Sequence, residues 1–167
     1  MLRAAVVTFT IGLLFVGSGS FAQVTNKKLT GQDFTGEVII NAGPQAVWAV
    51  LTDLQKFSGV MGLEYKGVAK KMEKVGDNAP VKFAGDTGSW ILTFVKPGSE
   101  LRYSWEPDNA SYLCQERWLL TASGKGTKVW YEDRYTESGP QTAEAIAEQI
   151  KSYNQALTRL KTLCEGK

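Results

Sequence analysis

Residues 141–165 read QTAEAIAEQIKSYNQALTRLKTLCE. Within them Ile146, Ile150, Tyr153, Leu157, Leu160 and Cys164 recur at alternating steps of four and three. That spacing places all six on one stripe of a helix of about six turns. The opposite side carries Glu144, Glu148, Lys151, Gln155, Arg159 and Lys161. A helix wet on one side must lay its other side on something apolar, and most of the remaining chain reads as strand. The expectation is an α+β fold, one long C-terminal helix against a curved antiparallel sheet, with a covered cavity between them.

The upstream elements follow in order. Phe34 to Asn41 is β-rich, and Ala42, Gly43 and Pro44 break it and open a short helix over Gln45 to Thr52. A second short helix covers Leu54 to Val60, limited by Gly59 and Gly62. Strands are then expected at Leu63 to Lys74, Pro80 to Gly85, Gly88 to Val95, Glu100 to Glu106, Leu113 to Ala122 and Thr127 to Thr136. The segments between them are rich in Gly, Asp, Asn, Pro and Ser. Successive strands joined without long crossovers argue for antiparallel pairing.

Two hairpins can be paired from their turns. A two-residue type II′ turn at Gly124 and Lys125 sets Leu120 opposite Val129, Trp118 opposite Tyr131, Glu116 opposite Asp133 and Cys114 opposite Tyr135. The reverse side pairs Leu119 with Trp130, Arg117 with Glu132 and Gln115 with Arg134, and reads as solvent-tolerant. The hairpin through Lys96 to Ser99 sets Phe94 opposite Leu101, Leu92 opposite Tyr103 and Trp90 opposite Trp105. The candidate ligand-binding set is therefore Trp90, Leu92, Phe94, Tyr103, Trp105, Trp118 and Tyr131 from the sheet, with Ile150, Tyr153 and Leu157 from the helix. Two readings of this ring-rich face stay open: a well-filled core, or a cavity whose aromatic walls hold a flat or long apolar molecule. Glu116 and Asp133 stand out on the same face. Two adjacent carboxyls in a poorly solvated space cannot both ionise easily, which makes them candidate acid–base groups.

Composition narrows the function. The 19 basic and 17 acidic residues are spread along the chain, so no surface for nucleic acid is expected. There is no histidine, which removes the usual general base and the commonest metal ligand. Two cysteines cannot build a four-thiolate zinc site, and Gly124-Lys125-Gly126-Thr127 lacks the spacing of a phosphate-binding loop. Neither a metal nor a cofactor is expected.

Met1 to Ala22 combines Arg3, an apolar run from Ala4 to Val16, and small residues before Gln23, the pattern of a cleavable secretory signal. That run of about 13 residues is shorter than the roughly 20 a membrane span needs. The expectation is an exported protein, periplasmic or secreted, cleaved near Ala22 and left without a stable membrane anchor. A flexible segment over residues 23–32 then precedes one domain over 33–167. Export would make a disulfide between Cys114 and Cys164 possible, the alternative being two small buried thiols. Asn109-Ala110-Ser111 is a glycosylation sequon in a host that uses it.

The run Glu37 to Gly62, EVIINAGPQAVWAVLTDLQKFSGVMG, resembles the opening of the START-like superfamily, the polyketide cyclase and pollen-allergen type known as SRPBCC. The likeness continues through Glu116-Arg117-Trp118, Gly126 to Trp130 and the closing helix. The resemblance implies a helix-grip fold: a seven-stranded antiparallel sheet around the long helix, with two short helices plugging one end. It implies a hydrophobic ligand or lipid as partner, and no catalytic residue carries over. Phe57 to Met61 departs from the family's usual version, which bears on the cavity mouth. Three functions are thus in contention: an exported carrier of a hydrophobic small molecule or lipid; a cyclase or dehydratase moving protons with Glu116, Asp133, Tyr103 or Tyr131; and a filled module presenting Trp130 to a protein.

Overall fold

A computed structural model of the protein describes residues 29–166. The expected signal and cleavage point lie outside the described residues. Seven strands and three helices are present: β1 (Thr30–Ile40), α1 (Pro44–Leu51), α2 (Leu54–Met61), β2 (Glu64–Tyr65), β3 (Asn78–Phe83), β4 (Asp86–Lys96), β5 (Glu100–Pro107), β6 (Tyr112–Ser123), β7 (Gly126–Glu137) and α3 (Ala143–Glu165). They form one antiparallel sheet in the order β1-β7-β6-β5-β4-β3-β2. One face packs against α3, with α1 and α2 closing one end, which is the helix-grip architecture. No described helix is long and apolar enough to cross a membrane.

Local chemistry sets the helix boundaries. Pro44 opens α1, and Asp53 caps α2 by accepting from the backbone N–H groups of Gln55 and Lys56, both at 3.1 Å. Gly62 ends α2 at φ 75°, a left-handed conformation that glycine adopts without steric cost. Thr142 caps α3 through its hydroxyl, so that helix begins at Ala143 rather than Gln141.

The β6–β7 hairpin has the register read from its turn, with all seven expected cross-strand pairs in place. Gly124 alone in that turn has positive φ, at 58°, as a type II′ turn requires. Three expectations are corrected. The first is β1, which starts at Thr30 because β7 runs on to Glu137 and pairs with it, so part of the supposedly flexible segment is strand.

The second is Leu63 to Lys74, where only Glu64 and Tyr65 join the sheet, paired with β3. Beyond them the backbone bonds to the helices instead: Leu54 N–H donates to Lys70 O at 3.0 Å, and Met72 N–H to Thr52 O at 3.1 Å. Tyr65 folds back over Gly67 and donates its hydroxyl to Ala69 O at 2.8 Å.

The third is a bulge in β4 between Leu92 and Phe94. Trp90–Trp105 and Leu92–Tyr103 pair as expected, but Phe94 then lies opposite Arg102 instead of Leu101. One extra residue turns every later side chain to the other face. Phe94 consequently leaves the ligand-binding set: it is 37% exposed and lies under the Arg102 guanidinium, 4.8 Å from the ring centroid.

The core is dense with rings. Phe57 of α2 stacks on Trp90 at 4.3 Å between centroids and meets Tyr103 at 5.0 Å and Trp118 at 5.5 Å. A ring from the plug helix thus fills the middle of the aromatic face. On α3 the stripe is buried at Leu157 and Leu160, with Ala156 beside them, whereas Ile150 is 48% exposed. The early turns of the helix are thereby left largely in solvent.

Candidate functional site

Alternation along β6 and β7 brings Glu116 and Asp133 side by side on the inner face, as their pairing predicted. Both are buried, Glu116 to 7% and Asp133 to 1% exposure. The Tyr153 hydroxyl, reaching down from α3, donates to Asp133 Oδ2 at 2.5 Å. Trp118 Nε1–H donates to Glu116 Oε2 at 3.2 Å. Asp133 Oδ1, the Tyr131 hydroxyl and Trp90 Nε1 are buried with no hydrogen-bond partner among the described residues.

Burial and the neighbouring Asp133 push Glu116 well above the usual carboxylate range, although the Trp118 bond opposes them. Burial lifts Asp133 to about 6, against the lowering effects of the Tyr153 hydroxyl and the Gln115 N–H. Both carboxyls are therefore harder to ionise than free ones. A protonated carboxyl can donate a hydrogen bond, and an ionised one can accept one or take up a proton.

Two spaces flank this cluster. An enclosed cavity of about 40 Å³ is lined by Met61, Leu63, Phe83, Trp90, Trp105, Cys114, Glu116, Ser152, Tyr153 and Ala156. A more open space of about 240 Å³ lies between β1 and α3, against Phe34, Gly36, Tyr131, Ile150, Tyr153, Asn154 and Leu157. Tyr153 belongs to both linings, with Phe34 at 5.2 Å and Tyr131 at 5.3 Å from its ring. Gly36 allows the close approach of the helix, since a Cβ there would lie 2.9 Å from Leu157 Cδ1.

The structure divides the sequence-derived set. Trp90 and Trp105 line the inner cavity, Tyr131 and Leu157 the open space, and Tyr153 both. Ile150 lines the open space at its exposed side, with 48% of its surface in solvent. Leu92, Tyr103 and Trp118 are packed away from both spaces. The Tyr103 hydroxyl is already spent on Leu51 O at 3.0 Å and so does not await a ligand. Met61, Leu63, Phe83 and Ser152 line the inner cavity without having been singled out. Met61 and Leu63 lie at the end of α2 and just after it, where placement depends on how that plug helix docks, whereas Phe83 ends β3 and Ser152 is a polar residue beside Tyr153 on α3.

Cys114 and Cys164 are both free thiols. Cys114 faces the helix near Ser152 and Ala156. Cys164 lies two turns beyond Ala156, about 12 Å farther along the axis, whereas a disulfide needs Cα atoms within about 7 Å. Export made the bond possible, but their heights along the helix oppose it.

The widest depression, about 950 Å³, lies on the outer face of the sheet. Its charges neutralise one another: Arg102 and Arg117 both hold Glu100, Arg117 also reaches Glu132 at 3.2 Å, and Arg134 pairs with Asp33 at 2.8 Å. The expected solvent-tolerant reverse side is thus an ion-pair ladder.

A helix-grip protein with an aromatic interior and a buried acid pair is what the fold and site define. The family model described as "Polyketide cyclase / dehydrase and lipid transport" matches residues 31–165, and the chain belongs to that family. No curated protein matches the chain. Among solved structures it is similar to DynU16 of the dynemicin biosynthetic locus, at 22% identity and TM-score 0.62, covering 81% of this chain but 48% of that one. A protein of Chromobacterium violaceum is 18% identical at TM-score 0.62, with 80% and 96% covered. The structure of Ara h 8.0201 is 10% identical at TM-score 0.62, with 83% and 100% covered. The chain spans about half the length of DynU16 and nearly all of the other two. At these identities the likeness is one of fold.

Proposed function

We propose that this is an exported binding protein for a small hydrophobic molecule, held between the sheet and α3 with its polar end at Glu116 and Asp133. The observation that carries the reading is the set of buried polar atoms left unpaired beside those carboxyls, Asp133 Oδ1, the Tyr131 hydroxyl and Trp90 Nε1, within walls that are otherwise apolar rings. A buried unpaired group of this kind costs about 1–3 kcal/mol. A ligand that meets them recovers that energy and adds roughly 0.8 kcal/mol for each methylene it buries. The inner cavity alone holds only a few water-sized groups, so the ligand's body lies in the 240 Å³ space and Tyr153 moves to admit it. Export rests on the leader-like pattern of residues 1–22. A carrier role outside the cytoplasm follows from the two together.

The test is to purify the mature protein from the exported fraction of its own host and compare native and denatured masses, with small-molecule analysis of an organic extract. A discrete co-purifying apolar compound supports the reading. A bare protein that no panel of lipids or aromatic probes shifts would favour a filled interaction module presenting its outer face, a reading to which the ring of Phe57 lends weight. Recovery from the cytoplasm with residues 1–22 intact would remove export.

A second reading, a cyclase or dehydratase, draws on Asp133: a carboxyl at about 6 touching a tyrosine hydroxyl can exchange protons near neutral pH. It requires turnover with a bell-shaped pH profile that Glu116→Gln or Asp133→Asn abolishes.

A further inference from the structure

The buried acid cluster has a sign, and the sign selects the ligand. The groups facing Glu116 and Asp133 are Tyr103 of β5, Cys114 and Trp118 of β6, Tyr131 of β7 and Tyr153 of α3, with Asp33 of β1, on the wall of the open space and paired to Arg134 at 2.8 Å, also acting on Asp133. Each of these facing groups is neutral or acidic, and among the described residues no lysine or arginine lines either the inner cavity or the open space beside Tyr153. An anionic head group, such as a fatty-acid carboxylate, would enter against two carboxyls with no cation to meet it. Two of the unpaired atoms can receive an ammonium: Asp133 Oδ1 accepts, and the Tyr131 hydroxyl oxygen can accept. Aromatic faces surround them, with Trp118 and Tyr131 rings 4.5 Å apart and Tyr153 5.3 Å from Tyr131. Ring faces and carboxylates together are the surroundings in which an organic cation is held out of water.

We propose that the site takes a small aromatic or aliphatic amine, its ammonium lodged among Asp133, Glu116 and the Tyr131 hydroxyl and its apolar body in the space between β1 and α3. This rests on the hydrophobic-ligand reading above and sharpens it. The ammonium binds the ionised Asp133 carboxylate, so below about pH 6 its binding releases that carboxyl's proton to solvent. In that complex the Tyr153 hydroxyl swings off Asp133 Oδ2 to widen the passage, while Oδ1 is free for the ligand. The ammonium satisfies acceptors only, so the Trp90 N–H keeps its need for a separate partner.

The experiment is titration calorimetry of the mature protein with three probes of nearly equal shape: 2-phenylethylamine, 2-phenylethanol and phenylacetate. The amine should bind at least about tenfold tighter than the alcohol, the factor that a single desolvated cation–π or charge contact supplies, and phenylacetate should not bind. Because Asp133 must be ionised to hold the cation, amine affinity should rise about tenfold between pH 5 and pH 7, while the alcohol's stays level. Glu116→Gln and Asp133→Asn are near-isosteric, and each should erase the amine's advantage while keeping the circular-dichroism spectrum and cooperative unfolding. If the alcohol binds as tightly as the amine, or either amide variant retains the full preference, the cation site is wrong and the hydrophobic-ligand reading stands. If none of the three binds, the amine proposal falls, while the hydrophobic-ligand reading is decided separately by the co-purification experiment above.

Discussion

The hydroxyl of Tyr153 on α3 donates to Asp133 Oδ2 on β7 across 2.5 Å, joining helix and sheet by a polar contact beside the rings of Phe34 and Tyr131. Tyr153→Phe keeps the ring against Phe34 and Tyr131 and deletes that contact. Asp133 would then have neither oxygen paired with another side chain. The expected loss of stability at pH 7 is about 1–3 kcal/mol, read from the shift in urea midpoint. In an Asp133→Asn background the same substitution should cost measurably less, because the two positions act through one bond.

Asp133 also predicts a pH dependence. Its folded value, about 6, lies above its ordinary value of 3.8. Between those values the folded chain binds more protons than the unfolded one, so stability falls as pH rises through that window. The contribution is complete below about pH 4 and gone above about pH 6. Asp133→Asn should therefore stabilise the protein at pH 8, by on the order of 2 kcal/mol, and change little at pH 4. Urea unfolding of both proteins at the two pH values gives the comparison. Equal differences at both would mean that the carboxyl is ionised in the fold.

What was legible in the sequence follows from which forces are local. The β6–β7 register needed only a two-residue turn and period-two alternation, and so Glu116 met Asp133 on paper and in the structure. The Leu63 to Lys74 stretch misled because its backbone partners, Thr52 and Leu54, lie across a tertiary contact that no local pattern records. Phe94 misled through one bulge residue, to which alternation is blind. The rings of the site were readable as a face. The space among them was not, because it depends on where Phe57 docks, and a few ångströms of helix position separate a packed core from a pocket.

The cysteines give a direct chemical check. Cys164 is half-buried and Cys114 is buried, and desolvation raises both thiols above their ordinary range. Under native conditions a thiol reagent should label Cys164 slowly and Cys114 more slowly still, with two equivalents taken up on denaturation. Reductant should leave the melting temperature unchanged. A native mass two hydrogens short, or a melting temperature that falls on reduction, would instead establish the disulfide.

Gly126, at the start of β7, sits where the chain crosses the end of β1. A Cβ there would lie 2.3 Å from the carbonyl oxygen of Ile40, which is backbone and cannot swing aside. Gly126→Ala should thus displace the β1–β7 edge and cost about 1–3 kcal/mol or slightly more. Gly43→Ala, where nothing lies within 4 Å of the added carbon, serves as the control and should be nearly neutral.

Phe57 decides how much interior remains for a ligand. Its ring is 1% exposed and touches Trp90, Tyr103 and Trp118, so Phe57→Ala removes the keystone of the aromatic core at a cost of about 3–5 kcal/mol. Trp90 already lines the inner cavity, so the vacated volume should open into it. The variant should therefore bind larger apolar probes than the parent does, detectable as saturable fluorescence enhancement of a naphthalene dye with cooperative unfolding intact. The gain in size range measures how far α2 sets the upper limit on ligand size. A variant that unfolds cooperatively yet binds no larger probe would show that the neighbouring rings collapse into the space, and that the limit is set at Tyr153 instead.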